Sequence, residues 1–285
     1  MDRERTAGKP AGEDDIGIVV PFLKWPGGKR WLAADHRDVF PKKFERYVEP
    51  FLGSASVFFA LQPERALLSD ANEELITAYR AIRSKPKAVI DALNRHAARH
   101  SDAYYYETRS TQPEGLIERA ARLIYLNRTC FNGIYRVNLD GVFNVPRGTK
   151  NTVILPTDDF HALSRVLRGA QLENKDFEEI IDQAGDGDFV FADPPYTVRH
   201  NTNGFIKYNE KLFSWSDQER LAAALARARR RGARIVATNA NHASIRELYA
   251  SHRFAQRTVS RFSSISATSS SRKQFEELVI LGGRR

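Results

Sequence analysis

The chain has 285 residues, 42% of them apolar and 28% charged, and Lys+Arg exceed Asp+Glu by 44 to 35 for a net charge of +9. That length supports one large domain, or one large and one small, with a sizeable core, and the basic excess suits a binder of polyanions. No apolar run approaches the ~20 residues of a membrane span, residues 1–16 lack the apolar centre of a signal peptide, and the single cysteine, Cys130, excludes an internal disulfide. The composition therefore points to a soluble cytoplasmic protein with a loose tail over residues 1–16 and no metal.

In chain order, short β-branched and aromatic segments predict strands at Arg46–Phe51, Arg65–Asp70, Asp188–Asp193, Ala233–Thr238 and Gln274–Leu281. Helices are predicted at Ala71–Ser84, with Asp70 as cap, and at Ser216–Arg231, where Ser216 opens the run and Gly232 ends it. Strand alternating with helix is the sign of a parallel sheet wrapped by helices. Between residues 85 and 163 the alternation lapses into helices and then an irregular stretch, Cys130–Thr157, which reads as an insertion. The resulting division is a tail over 1–16, a catalytic α/β domain from 17–84 and 164–285, and an inserted domain over 85–163.

Asp193-Pro194-Pro195-Tyr196 follows the strand segment Phe189–Ala192, which delivers it to the carboxyl edge of the sheet, where open α/β sheets bind ligands. Consecutive prolines make a rigid turn without backbone donors, so the carbonyls stay free to accept hydrogen bonds. A strand-ending turn with a capping Asp is the plain alternative. The chemical reading accounts for all four residues. The exocyclic amino group of adenine is a poor nucleophile because its lone pair is delocalised into the ring. Acceptors on Asp193 and on the Pro194 carbonyl can hold its two hydrogens and localise that pair, while Tyr196 stacks on a base taken out of a duplex. Direct in-line transfer then needs positioning and no covalent intermediate, so Cys130 has no required role.

Other segments add to this. Tyr47–Ser56 has the form of a strand, a tight turn at Gly53 and a helix start, which allows a ligand close to the backbone. Asp70, at the end of the second strand, is placed either to cap a helix or to bind a ribose diol. Leu126–Asn138 and Gly141–Pro146 mix aromatics, amides and arginines, among them Arg128, Phe131, Asn132, Ile134, Arg136, Asn138 and Pro146. Such side chains read base edges, contact thymine methyls and wedge between base pairs. Serines 263–271 beside Arg272 and Lys273 suit phosphate contacts. Thr238–Asn241 ends a strand at the catalytic edge and is equally well a plain loop.

Over Pro21–Leu281 the sequence resembles the Dam-type DNA N6-adenine methyltransferases. Phe22-Leu23-Lys24-Trp25-Pro26-Gly27-Gly28-Lys29 is similar to the family's FLKW-x-GGK segment, and the order of the remaining motifs agrees. The resemblance implies a Rossmann-like methyltransferase sheet flanked by helices, with an inserted, mainly helical DNA-recognition domain. It implies S-adenosyl-L-methionine as cofactor, held by Trp25, Lys29, Glu49, Phe51, Gly53, Asp70 and Asp193, with Asp70 on the ribose. The cofactor loop departs from the family's F-x-G-x-G at Ala55, and Thr268, Ser269 and Ser270 replace an asparagine and glycines of the C-terminal loop. The resemblance further implies that Lys24 and Arg136 read guanines, Ile134 and Pro146 touch a thymine, and Phe131 and Asn132 invade the duplex, with GATC as the site. A monomer acting on double-stranded DNA, in the company of a restriction endonuclease, fits this reading. Asp193, where cytosine-directed relatives commonly carry serine, favours adenine. The alternatives are a catalytically silent DNA-binding regulator, which the presence of Lys29, Asp70, Asp193 and Tyr196 disfavours, and an RNA adenine methyltransferase, which the large insertion disfavours.

Overall fold

The computed structural model describes residues 19–137, 142–198, 213–262 and 274–283. The tail over 1–16, Asn138, Arg272, Lys273 and the serine-rich segment therefore lie outside the described residues. Seven strands form one sheet: β1 Arg46–Glu49, β2 Ala66–Ser69, β3 Ala170–Glu173, β4 Asp188–Ala192, β5 Arg234–Ala240, β6 Ala255–Phe262 and β7 Gln274–Gly282. Their order is β3-β2-β1-β4-β5-β7-β6. The first five are parallel, and β7 runs antiparallel between β5 and β6. This is the Rossmann-like α/β sheet with a terminal hairpin.

Ten α-helices accompany the sheet among the described residues: α1 Arg30–Asp35, α2 Ser56–Leu61, α3 Glu73–Ser84, α4 Pro86–Arg99, α5 Asp102–Ser110, α6 Leu116–Thr129, α7 Phe160–Leu167, α8 Phe177–Ile181, α9 Trp215–Arg230 and α10 Ala243–Ser251. None is long and apolar enough to cross a membrane. The period-2 pattern of the strands splits their side chains between two cores, because successive residues of a strand face opposite sides. Tyr47, Leu68, Phe189, Phe191 and Val236 enter the core beneath α1 to α7, whereas Val48, Leu67, Val190, Ala192, Ile235 and Ala237 enter the core beneath α8 to α10.

Two caps differ from the sequence expectation. Asp70 does not cap α3; Asn72 does, its side chain accepting from Leu75 N at 3.2 Å, and Asp70 is left for the loop after β1. The long helix α9 starts one residue earlier than predicted, capped by Ser214 in a reciprocal box with Asp217. Ser214 wins because Asp217 stands three residues after it, the spacing that box requires. β3 and β6 were not predicted at all. Both lie toward the sheet's outer edges, and β3 alternates buried and exposed residues too briefly, over four positions, to stand out in sequence.

Residues 85–163 do not build a separate core. Tyr105, Ile124, Tyr125 and Phe143 share one continuous apolar cluster with Phe58, Tyr79 and Phe189 of the sheet side, so α3 and α6 pack as neighbours. Within this segment His96 and His100 stand in His-x-x-x-His spacing, yet they bond tyrosines: His96 Nδ1 lies 2.9 Å from Tyr104 Oη and His100 Nδ1 2.8 Å from Tyr125 Oη.

Candidate active site

In a parallel sheet ordered 3-2-1-4-5 the connections leave β1 and β4 in opposite directions, which opens a crevice at the carboxyl ends of those two neighbours. The loop after β1 carries Phe51 to Ala55, and the turn after β4 is Asp193–Tyr196. The fold thus brings the two motifs face to face, although 138 residues separate Ala55 from Asp193.

Lys29, only 4% exposed, closes the crevice by placing Nζ 2.9 Å from Asp193 Oδ1 and 3.5 Å from Glu277 Oε2. The same ammonium lies 4.9 Å from the centre of the Tyr196 ring and donates to the Gly27 carbonyl at 2.7 Å. The Thr238 hydroxyl donates to Asp193 Oδ1 at 2.6 Å. Both donors fall on one carboxylate oxygen, leaving Oδ2 to a substrate. Burial pushes the Asp193 carboxyl above the usual aspartate range, against the opposing pull of Lys29 and of the Thr238 hydroxyl. A more basic carboxylate is a better acceptor for an amino hydrogen. Tyr196 donates its hydroxyl to Glu277 Oε2 at 2.8 Å, and burial beside Asp193 and Glu277 keeps that phenol protonated.

The backbone of the catalytic turn is itself fastened. Gln218, fully buried on α9, donates to the Pro195 carbonyl at 3.2 Å and accepts from Asn239 Nδ2 at 2.9 Å. No hydrogen bond is made to the Pro194 carbonyl among the described residues.

The cofactor side is assembled around Gly53. Its N–H donates to Asp70 Oδ2 at 3.0 Å, while Asp70 Oδ1 accepts from Asn72 N at 2.9 Å, so the carboxylate is pinned at the end of β2. Gly53 has φ +48, and a Cβ there would meet Trp25 Cδ1 at 2.9 Å, which only glycine avoids. Trp25 in turn stacks on Tyr135 at 5.4 Å and links this loop to the segment around residue 135. Phe51 stacks on Phe177 at 5.3 Å and forms an aromatic wall. Glu49, 3% exposed, leaves Oε2 buried without a hydrogen-bond partner, and burial drives its carboxyl well above the ordinary range. An orphaned buried acceptor is costly, and a cationic or N–H-bearing ligand would satisfy it. The residues present therefore fit a methionine-and-adenosine cofactor.

Ala55, at the position where the resemblance leads one to expect glycine, stands in the left-handed region at φ 54 and ψ 31 and is fully buried. Relief by glycine would be worth about 1–2 kcal/mol. A freer unfolded chain, about 0.4–1 kcal/mol, and a lost buried methyl, about 0.8 kcal/mol, offset it, which is why alanine is tolerated.

The expected DNA-facing residues divide into two groups. Asn127, fully buried on α6, accepts from Lys24 N at 3.0 Å and donates to the Lys24 carbonyl at 2.8 Å and to the Gly133 carbonyl at 3.2 Å. That clamp sets Lys24 beside the turn at Phe131–Gly133, and Lys24 Nζ donates to the Asn132 carbonyl at 2.5 Å. Phe131 and Ile134 are 54% and 41% exposed, and with Val142 they supply three of the five large apolar side chains exposed among the described residues. Arg136 is also exposed and donates to Asn144 Oδ1 at 3.1 Å; Pro146, exposed, accepts from Phe131 N at 2.9 Å. Arg128 is different. It is buried in a two-point ion pair with Asp158, at 2.6 and 2.7 Å, and also donates to the carbonyls of Val153 and Phe22. It pins the segment internally, and the expectation that it contacts DNA is corrected. The reason is its place in the C-terminal part of α6, where every residue from Ala120 to Thr129 is buried.

Thr238, Glu277, Gln218 and Asn127 were not among the expected site residues. Two carried a signal. Thr238 follows Ala237, the register partner of Ala192, so it necessarily lies beside Asp193. Glu277 is the second of two adjacent glutamates that directly precede the apolar run Leu278–Leu281 of β7. No three His, Cys, Asp or Glu side chains cluster as for a metal among the described residues, and Cys130 is buried with its thiol pushed up to about 11.

Comparison with known proteins agrees with this geometry. Residues 25–265 match the family described as D12 class N6 adenine-specific DNA methyltransferase. The chain is similar to the type II methyltransferase M1.LlaDCHI of Lactococcus lactis subsp. cremoris, at 36% identity over 91% of this chain and 94% of the relative. It is also similar to a DNA adenine methylase of Haemophilus influenzae, at 31% identity over 93% of this chain and 94% of the relative, and to the type II methyltransferase M.MjaIII of Methanocaldococcus jannaschii, at 33% identity over 78% and 84%.

Proposed function

The chain belongs to the D12 class of N6 adenine-specific DNA methyltransferases, and on that premise we propose that it methylates a flipped adenine within GATC in duplex DNA. The methyl donor of the class is S-adenosylmethionine, which supplies an electrophilic methyl carbon when bound. Trp25, Lys29, Glu49, Phe51, Gly53, Asp70 and Asp193 are the residues that would hold it.

The observation that carries the mechanism is the convergence of Lys29, Thr238 and Asp193 within 2.9 Å at the crevice between β1 and β4. Lys29 and Thr238 fix Asp193 by Oδ1. Its Oδ2 and the Pro194 carbonyl accept the two N6 hydrogens and localise the lone pair. Tyr196, held by Glu277, stacks on the base. These contacts would leave the N6 lone pair free to take the methyl group that the bound donor would supply. The excess N6 proton leaves to Asp193 Oδ2, whose raised basicity suits it.

The reader of the duplex is the 85–163 segment together with Lys24. Phe131 and Asn132 enter the helix, Lys24 and Arg136 contact guanines, and Ile134 and Pro146 contact a thymine; exposed apolar side chains on a basic protein support this assignment. Asn138, Arg272 and Lys273 complete it. The protein acts as a monomer and shields sites from a partner restriction endonuclease. To test the site, unmodified plasmid is treated with the protein and S-adenosylmethionine and then cut with nucleases that differ in sensitivity to methylated GATC. Protection confined to GATC is expected; label at adenines outside GATC would remove that assignment.

A further inference from the structure

The loop after β1 makes two left-handed bends in close succession, Gly53 at φ +48 and Ala55 at φ 54. A left-handed alanine persists only where its surroundings over-determine the backbone. On one side the Gly53 N–H is held by Asp70 Oδ2 at 3.0 Å. On the other, the hydroxyl of Tyr79, fully buried on α3, donates to the Gly53 carbonyl at 2.9 Å. The Tyr79 ring is itself seated edge-on against Phe22, with centres 5.0 Å apart. Burial beside Glu49 and Asp70 keeps its phenol protonated, so the hydroxyl is a standing donor at neutral pH. Because the peptide is planar and trans, turning the Gly53 carbonyl toward Tyr79 turns the Ser54 N–H to the opposite side of the loop.

We propose that Tyr79 is a positioning residue for the methyl donor, its hydroxyl holding the Gly53 peptide in the orientation that the donor binds. The proposal rests on the reading of this loop as part of the methyl-donor site. Tyr79 acts through Gly53, not on the donor itself. Without the hydroxyl the Gly53 carbonyl loses its donor, and a glycine has the backbone freedom to turn the peptide toward other partners. Affinity for a ligand then falls with the fraction of chains that keep the competent loop. That loss is shared by S-adenosylmethionine and its demethylated product, because both present the same adenosine and amino-acid parts. Once the donor is bound, the loop is back in place and the groups around Asp193 are unaltered.

The test compares the purified full chain with Tyr79→Phe, which removes only the hydroxyl, and with Tyr105→Phe as control. Tyr105 is equally buried in the same apolar cluster and also donates to a backbone carbonyl, that of Val145 at 3.0 Å, but not to the cofactor loop. Each protein is titrated calorimetrically with S-adenosylmethionine and with S-adenosylhomocysteine, well below its measured melting temperature, and its turnover on duplex DNA is followed. Tyr79→Phe is expected to weaken both ligands about fivefold. The KM for S-adenosylmethionine should rise in step, with kcat at saturation within about twofold of the parent. Tyr105→Phe should leave both affinities within about twofold. A Tyr79→Phe chain that melts lower yet binds both ligands like the parent would reduce the bond to core stability and overturn the proposal. An equal loss in Tyr105→Phe, a loss confined to one ligand, or a fall in kcat with both affinities unchanged would do the same, and each leaves the donor-site reading intact. A parent protein that binds neither ligand would overturn both.

Discussion

Replacing Arg128 by alanine separates a structural arginine from a DNA-reading one. In the folded chain its two Nη atoms hold both oxygens of Asp158 at 2.6 and 2.7 Å and also satisfy the carbonyls of Val153 and Phe22. The side chains are 4% and 7% exposed, so solvent cannot replace the lost partner. Breaking a buried pair on one side costs about 3–5 kcal/mol, because Asp158 is left as an uncompensated charge. At about 2 °C per kcal/mol for a chain of this size, the melting temperature should fall by at least about 6 °C. Thermal melting of Arg128→Ala, Asp158→Ala and the double variant would measure it, and the double variant should fall short of the summed losses by about 1–3 kcal/mol. Below the lowered melting point, the salt dependence of DNA affinity should keep its slope. A melting temperature within about 2 °C of the parent, with a slope reduced by about one, would show instead that Arg128 meets a phosphate.

Three further outcomes follow from the site. Lys29→Met removes the cation beside Asp193, which disfavours the carboxylate; the acidic limb of the pH–rate profile should move up by about one to three pH units, and an unmoved limb would mean that Asp193 is not the group titrating. Ala55→Gly should change stability by less than about 1 kcal/mol, since relief of the left-handed backbone is offset by a freer unfolded chain and a lost methyl; a melting shift of 5 °C or more, roughly beyond that range, would contradict the offset. Arg136→Ala should cost ~1–3 kcal/mol of discrimination at one guanine and leave melting unchanged; equal weakening on every sequence would make it a phosphate contact.

How far the sequence revealed the site depended on whether a residue acts locally or through the fold. Asp193–Tyr196 and the loop at Gly53 are local signals, a rigid turn or a tight bend at a strand end, and the sheet order brings them together. The strands β1, β2, β4, β5 and β7 were visible because they are buried on both faces. Thr238, Glu277 and Gln218 reach the catalytic turn from β5, β7 and α9, and their roles depend on register and packing. Arg128 shows the opposite case: its type suited DNA, but its position on α6 turned it inward against Asp158. Asp70 was ambiguous between cap and ligand, and Asn72 took over the capping and released it.

Nucleoside mass spectrometry reads out whether Asp193 directs methyl transfer to adenine N6. DNA incubated with S-adenosylmethionine and the parent protein should yield N6-methyladenine. With Asp193→Ala it should yield none, while DNA affinity stays within severalfold. Methyl groups on cytosine, or undiminished N6-methyladenine from the Asp193→Ala variant, would rule out that role for Asp193.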